Sequence, residues 1–554
     1  MSGVGFGKAG FGAPGPAGRG GRAGGGGAAR GALDMVNEAI RLEHAAEYGR
    51  AEIVLSAAAQ LYPRHPEVLY QHGWVLANMG RERDAVVVLK KAASIDPRRA
   101  ETWHELGGAY QALGMPKESV DCFERAMFLN PKRVETYCAC AVMLERDRKA
   151  DRARSVLQKG LQKNPGDPQL RMLLAAADTR EGKAPEAETV LREIAASAPN
   201  DEVRCRALHN LANALEEQKR HVEAWSSFRE SNALRRTFVS VKNALKLSDD
   251  VVFGTARSYE GITQERFAAW KAASGRGAFT DDLPDPAFLV GFPRSGTTMT
   301  ENALGAHPNV VSLDEPPTVT LLEHEARRVL DPTRPPATPH APERWAEILD
   351  AMSVDQWRWL RAFYWSQVKE EAGPDGDAAR VKRDGITVLD KNPFNIYRVG
   401  LLNRLFPMAR VVCVIRDPRD VCISCFTQFF RANPAMVLFT EISDTARAYA
   451  AVMSQWITLR DRFSMGVLEV RYEDTVNDFD NYARRLVEFM GLEWNDAVLE
   501  FQKKAAAKFV STPSFRAVTQ SVNTRAVGRW SRYEGALDAV MPVLAPFIKQ
   551  FGYD

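Results

Sequence analysis

The chain has 554 residues and a mass of 61.5 kDa, a length that predicts about three or four structural units and excludes one small module. Hydrophobic residues at 45% and charged residues at 26% match soluble globular proteins, which excludes global disorder. With 73 Lys and Arg against 70 Asp and Glu, the net charge of +3 excludes a general affinity for polyanions and leaves room only for a local anion pocket.

The first 31 residues contain 14 Gly together with Lys8, Arg19, Arg22 and Arg30, and they lack the apolar stretch of a secretory signal. Such a composition cannot bury enough apolar surface to offset backbone entropy, so residues 1–31 read as a disordered Gly/Ala/Arg-rich tail. No segment approaches the ~18 consecutive apolar residues of a membrane span. The seven cysteines, 122, 138, 140, 205, 413, 422 and 425, are odd in number and sit in apolar patterns, which fits a reducing compartment, and the cytoplasm is the expected location. Cys422-x-x-Cys425 has no second pair nearby, and His324 has no second ligand at helical spacing, so both read as helix side chains and no metal site is expected.

Prolines at 63, 97, 131, 165 and 199 recur every 34 residues, the period of a helix-turn-helix repeat. Gly73, Gly107, Ala141 and Ala175 repeat the same step, where a small residue lets paired helices approach. Ala51, Ala85, Ser119, Ala153 and Ala187 do so at the start of the second helix. The unit 100–133 carries Trp103, Leu106, Gly107, Tyr110, Phe123, Ala126 and Pro131, and it resembles the tetratricopeptide repeat family. Six units are expected over 32–238, the last lengthened by three residues because Ala224 follows Ala187 by 37. Stacked units bury each other's apolar faces and give an all-helical solenoid; the resemblance implies a peptide or protein partner on its concave face.

Residues 239–286 read as a helical connection ending in Asp281-Asp282-Leu283-Pro284-Asp285-Pro286. Beyond it, Phe288–Val290, Ile386–Leu389, Val411–Ile415 and Val467–Val470 alternate with helical patterns, which predicts an α/β domain over 287–554 with a central parallel sheet. The Pro-rich stretch 331–342 reads as a surface loop.

Phe288-Leu289-Val290-Gly291 runs into Phe292-Pro293-Arg294-Ser295-Gly296-Thr297-Thr298 and then a helix. Strand, tight loop and helix in that order place backbone N–H groups and a helix N-terminus around one volume, which suits a phosphate or sulfate group. Gly296 permits close approach, Ser295, Thr297 and Thr298 add hydroxyls, and Arg294 adds a planar fork of donors. A Walker A loop requires Lys where Thr297 stands, so a nucleotide triphosphatase is disfavoured. A second anion station follows Val411–Ile415, where Arg416 sits at the strand's carboxyl end and Ser424 about two helical turns on.

Together these elements resemble the P-loop-like domain of sulfotransferases that use 3′-phosphoadenosine 5′-phosphosulfate (PAPS), in particular the tyrosylprotein branch and the repeat-bearing bacterial enzymes. Ala306-His307-Pro308 through Asp314-Glu315, Asp390-Lys391-Asn392-Pro393-Phe394, Ser521-Val522-Asn523 and Val527-Gly528-Arg529-Trp530 extend the likeness over roughly 285–554. The resemblance implies that Arg294 to Thr298 hold the 5′-phosphosulfate and that Arg416 with Ser424 hold the 3′-phosphate. It also implies that Glu315 is the catalytic base, that Lys391 stabilises the transferred group, and that Tyr472, Ser514, Asn523 and Arg529 line the donor site. The implied function is sulfuryl transfer from PAPS, without a metal, to a hydroxyl acceptor such as protein tyrosine, with the repeats recruiting a protein or peptide. A carbohydrate, lipid or small-phenol acceptor, or a scaffold with an inactive transferase domain, are the alternatives. The tyrosylprotein branch has an arginine where this chain has Pro317, and a further donor-site arginine where it has Gln428.

Overall fold

The computed structural model describes residues 26–45, 47–274, 280–335, 338–503, 522–533 and 535–554. It divides into two compact units with the boundary between Arg220 and His221.

The first unit is all helical. Its helices pair as Gly26–His44 with Tyr48–Leu61, Pro66–Asn78 with Glu82–Ile95, Ala100–Ala112 with Pro116–Leu129, Val134–Arg146 with Ala150–Lys163, and Pro168–Arg180 with Ala184–Ser197, followed by Asp201–Glu217. This is the repeat solenoid expected from the 34-residue step. The small residues do what the spacing demands: a Cβ on Gly73 would stand 2.5 Å from Leu89 Cγ, and one on Gly107 would stand 2.7 Å from Phe123 Cε1. Proline fits the first turn of Pro66–Asn78, Pro116–Leu129 and Pro168–Arg180, where its missing N–H is not needed. The first helix starts at Gly26, inside the stretch read as a tail, because Ala28, Ala29, Arg30 and Ala32 are strong helix formers. Residues 1–25 lie outside the described residues.

The second unit begins with the helix His221–Arg235 and continues through Val239–Ser248 and Gln264–Ser274. Its centre is a parallel sheet of five strands: β1 (Ala287–Gly291), β2 (Val310–Asp314), β3 (Thr387–Lys391), β4 (Arg410–Ile415) and β5 (Gly466–Arg471), in the order β2-β3-β1-β4-β5. Side chains alternate between the faces. Phe288, Val290, Val388, Val411 and Cys413 enter one core, while Ala287, Leu289, Leu389, Val412 and Val414 enter another, as a sheet covered on both sides requires. The chain leaves β1 toward β2 and leaves β4 toward β5, so the direction of winding reverses between β1 and β4. In such sheets ligands collect at the carboxyl ends of the strands beside such a switch point. No helix among the described residues is long and apolar enough to cross a membrane.

Candidate functional site

The loop after β1 is tightly curled. Gly291 (φ 154°), Arg294 (φ 71°) and Gly296 (φ 107°) all adopt positive φ, a region that costs a non-glycine residue on the order of 1 kcal/mol or more. A Cβ on Gly291 would sit 2.6 Å from the carbonyl oxygen of Val414 on β4, and one on Gly296 would sit 2.5 Å from Tyr472 Cδ2. Gly296 leads directly into the helix Thr297–Ala306, whose first N–H groups have no partner within the helix itself. Ser295, Thr297 and Thr298 are buried around this turn.

The loop and the end of β4 are joined by guanidinium groups. Arg294 Nε donates to Ser424 Oγ at 3.1 Å, and Arg416 Nη1 donates to the Arg294 carbonyl at 2.9 Å. Arg416 Nη2 donates to the Ala526 carbonyl and lies 3.5 Å from the Asp420 carboxylate, while its Nε is buried and has no hydrogen-bond partner among the described residues. The Tyr472 ring packs against the Arg416 guanidinium at 4.9 Å. Arg529 donates to Thr427 Oγ1 at 3.1 Å and to the Tyr533 hydroxyl at 3.3 Å. Removal from water, together with the charges of Arg416 and Arg529, lowers the Arg294 pKa, and Cys425 and Glu315 act in the opposite sense. A concentration of positive charge that depresses its own members is a site suited to an anion.

Helix Pro418–Phe426 carries Ser424 to this place because Asp417 caps its first turn, accepting from Arg419 N, and proline follows. Its Asp420 accepts from the backbone N–H groups of Gly528 and Trp530, each at 2.8 Å, and so pins the segment bearing Arg529.

The second half of the site lies at the ends of β2 and β3. Lys391 is fully buried, with Nζ 2.5 Å from Asp314 Oδ1 and 3.2 Å from Glu315 Oε1. Burial disfavours its charge, but Asp314, Glu315 and Glu301 outweigh that and raise its pKa. The side chain is therefore a cation at physiological pH and acts as a donor of hydrogen bonds. Glu315 follows β2 with φ 54° and is anchored by its N–H on the Lys391 carbonyl at 2.7 Å. Next to Lys391, Asp390 is buried and accepts from Thr318 Oγ1, Tyr364 OH and Asn395 Nδ2. Burial pushes its pKa up to about 6 against those hydrogen bonds.

Arg294, Ser295, Gly296, Thr297, Thr298, Arg416, Ser424, Tyr472 and Arg529 thus meet around one crevice, with Glu315 and Lys391 paired beside it. Asn523 is seen in a local turn, accepting from Arg525 N at 3.2 Å, and Ser514 lies outside the described residues. Besides Asp390, two acids that the sequence reading does not name also build the site: Glu301 and Asp420. Asp420 was accessible, since it lies one helical turn after Arg416. Glu301 accepts from Ser312 Oγ at 2.7 Å and reaches Lys391 through its charge, and that influence crosses 90 positions of sequence. Cys422 and Cys425 are buried and burial raises both thiols. Glu323, beside His324, is held by Arg327 and Arg398 at 2.9 and 2.7 Å. No group of three His, Cys, Asp or Glu able to hold a metal occurs among the described residues.

Residues 286–496 match the sulfotransferase family, and residues 66–99, 100–133 and 145–211 match tetratricopeptide repeats. Among relatives, an uncharacterized protein of Aquifex aeolicus is 28% identical over 269 residues, 48% of this chain and 33% of that one. Protein-tyrosine sulfotransferase 1 of Danio rerio is 25% identical, covering 50% of this chain and 74% of its own. Nodulation protein NoeE of Sinorhizobium fredii is 25% identical, covering 49% and 67%. The chain therefore spans only a third of the length of the Aquifex relative.

Proposed function

Because the chain carries a sulfotransferase-family domain beside tetratricopeptide repeats, we propose that it transfers a sulfuryl group from PAPS to a hydroxyl acceptor. The observation that carries this reading is the guanidinium cluster of Arg294, Arg416 and Arg529, in which the buried Nε of Arg416 has no hydrogen-bond partner among the described residues. A buried donor left unpaired costs on the order of 1–3 kcal/mol unless a ligand satisfies it. A donor with anionic groups at both ends of an adenosine fits the two stations.

Arg294, Ser295, Gly296, Thr297 and Thr298 would hold the 5′ end, and Arg416 with Ser424 the 3′-phosphate. Tyr472, Ser514, Asn523 and Arg529 complete the donor site in this reading. Bound, the donor supplies a sulfuryl group on a phosphate leaving group. Glu315 takes the proton of the attacking hydroxyl, needed because a phenol near pKa 10 is a poor nucleophile when protonated. Lys391, fixed as a cation, stabilises the negative charge that develops on the leaving oxygen. Asp314 keeps that ammonium aimed when Glu315 changes protonation.

We extend the proposal to protein tyrosine as acceptor, supported by relatives named for that activity, with the repeats recruiting the peptide. Pro317, where the tyrosylprotein branch has an arginine for acidic peptides, favours as a second reading a carbohydrate, lipid or small phenol. Labelled-sulfate transfer from PAPS to a panel of peptides, glycans and phenols, with Glu315→Ala as the blank, separates the two. Calorimetry that registers no heat with PAPS or with its bisphosphate product overturns the enzymatic reading.

A further inference from the structure

The helix His221–Arg235 is the last helix of the repeat series by sequence, yet it belongs to the compact unit that holds the sheet. It buries Ala224 and Phe228 as a packing helix would, but its last turn also buries the polar Ser231, Asn232 and Arg235. Asn232 and Arg235 are 3% and 4% exposed. Asn232 Nδ2 donates to the carbonyl of Phe426 at 2.9 Å, and Arg235 Nη2 donates to the carbonyl of Phe430 at 2.6 Å. Arg235 Nη1 also donates to Asn232 Oδ1 at 3.2 Å, and its guanidinium lies over the Phe429 ring at 4.2 Å.

These carbonyls belong to a particular place. Phe426 ends the helix that carries Ser424, and the last carbonyls of a helix have no partner inside it. The next residue, Thr427, holds Arg529. On the other side Trp225 packs on Phe426 at 4.6 Å and on Tyr533 at 5.6 Å, and Tyr533 is the second partner of Arg529. One helix therefore grips Phe426, Phe429 and Phe430, which flank Thr427, and also packs on Tyr533.

We propose that Asn232 and Arg235 are positioning residues for the donor pocket: they fix the segment 426–430 and through it Ser424 and Arg529. This rests on the donor-site assignment above. Neither residue touches the donor. Their effect runs through the register of the helix Pro418–Phe426, and a displacement of about 1 Å at a positioning element can cost up to a hundred-fold in rate.

The test uses the full-length chain. In Arg235→Met, which keeps length and loses the donors, the dissociation constant of 3′-phosphoadenosine 5′-phosphate and the KM for PAPS should each rise about ten-fold or more, with kcat at saturating PAPS and the acceptor KM within about three-fold. Arg235→Lys, retaining the cation over Phe429, guards against a misfolded Met variant and should lie between the two. Arg236→Ala is the control. Arg236 belongs to the same turn but bonds Thr440 at 3.1 Å and Asp444 at 3.0 Å rather than the carbonyls of the segment 426–430, so its loss should lower the thermal midpoint without moving donor affinity. Donor affinity unchanged in both Arg235 variants overturns the proposal, as does an equal loss in Arg236→Ala. If the unaltered protein binds neither nucleotide, the donor-site reading fails instead.

Discussion

Left-handed backbone occurs in both units, and its distribution differs. In the repeat unit Gly80, Gly114, Arg148 and Gly182 have φ of 79°, 68°, 58° and 84°, again at steps of 34, each in the turn between the two helices of a repeat. Nothing lies within 4 Å of a Cβ placed on Gly80 or Gly182, so the backbone there serves to end one helix and start the next. In the sheet unit the positive φ of Gly291 and Gly296 comes with close approach of another element, and Arg294 and Glu315 adopt it while carrying charge into the crevice. Strain repeated in register belongs to a turn. Strain that occurs once, beside buried charge, marks a site.

The sharpest separation of the two units comes from Lys391. Replacing it by methionine should lower kcat by about a thousand-fold, because a preorganised cation at the developing charge is lost, while calorimetry finds PAPS affinity nearly retained. A kcat within about ten-fold of the parent would mean that Lys391 only neutralises Asp314 and Glu315.

Two glycines with the same crowding test the comparison directly. Gly107→Ala and Gly296→Ala each force a methyl group to within 3 Å of a ring, that of Phe123 and that of Tyr472 respectively, and overpacking of this kind costs about 1–3 kcal/mol. The first should lower the melting temperature of the repeat unit and leave nucleotide affinity intact. The second should abolish measurable nucleotide binding, since Tyr472 also packs on Arg416. Loss of nucleotide binding in Gly107→Ala would break the distinction.

Acid should act on two buried groups, one in each unit, with opposite signs. His104 is held neutral by burial, with Arg133 adding to the effect, and its pKa falls to about 3. An unfolded imidazole titrates near 6.5, so the unfolded state takes the proton first and this one group withdraws roughly 2 kcal/mol of stability between pH 7 and 5. Asp390, raised to about 6 chiefly by burial, contributes stability that is present at low pH and lost as pH rises through 6. Asp390 alone therefore adds roughly 1 kcal/mol over the same fall. Amide exchange, corrected for intrinsic rates, should show Ala100–Ala112 opening more and Thr387–Lys391 opening less at pH 5, and His104→Gln should remove the first change.

The repeat half was legible because every contact that defines it recurs at 34 residues, as Gly73 against Leu89 and Gly107 against Phe123 illustrate. The strand-loop-helix around Arg294 was legible for another reason: its residues are consecutive, so order alone gives the local shape. Pairings that cross the chain were not. Nothing near Lys391 in sequence announces Asp314, 77 positions away, and a lysine that reads in isolation as a solvated turn residue is fully buried. Asn232 was hidden more deeply, since its spacing places it in the repeats while its partner Phe426 lies 194 residues on.

The smallest effect tests the repeat half of the comparison alone. Arg148 occupies a turn position that Gly80, Gly114 and Gly182 fill in neighbouring repeats, with φ 58°, where a side chain costs on the order of 1 kcal/mol that glycine avoids. Arg148→Gly should therefore stabilise the repeat unit by about 0.5–1 kcal/mol, somewhat offset by the greater freedom glycine gives the unfolded chain. Equilibrium denaturation should record a higher midpoint at unchanged slope, with PAPS affinity unaltered. A lower midpoint would mean that the Arg148 side chain makes contacts worth more than the conformational cost, and that this turn is not equivalent to its three glycine counterparts.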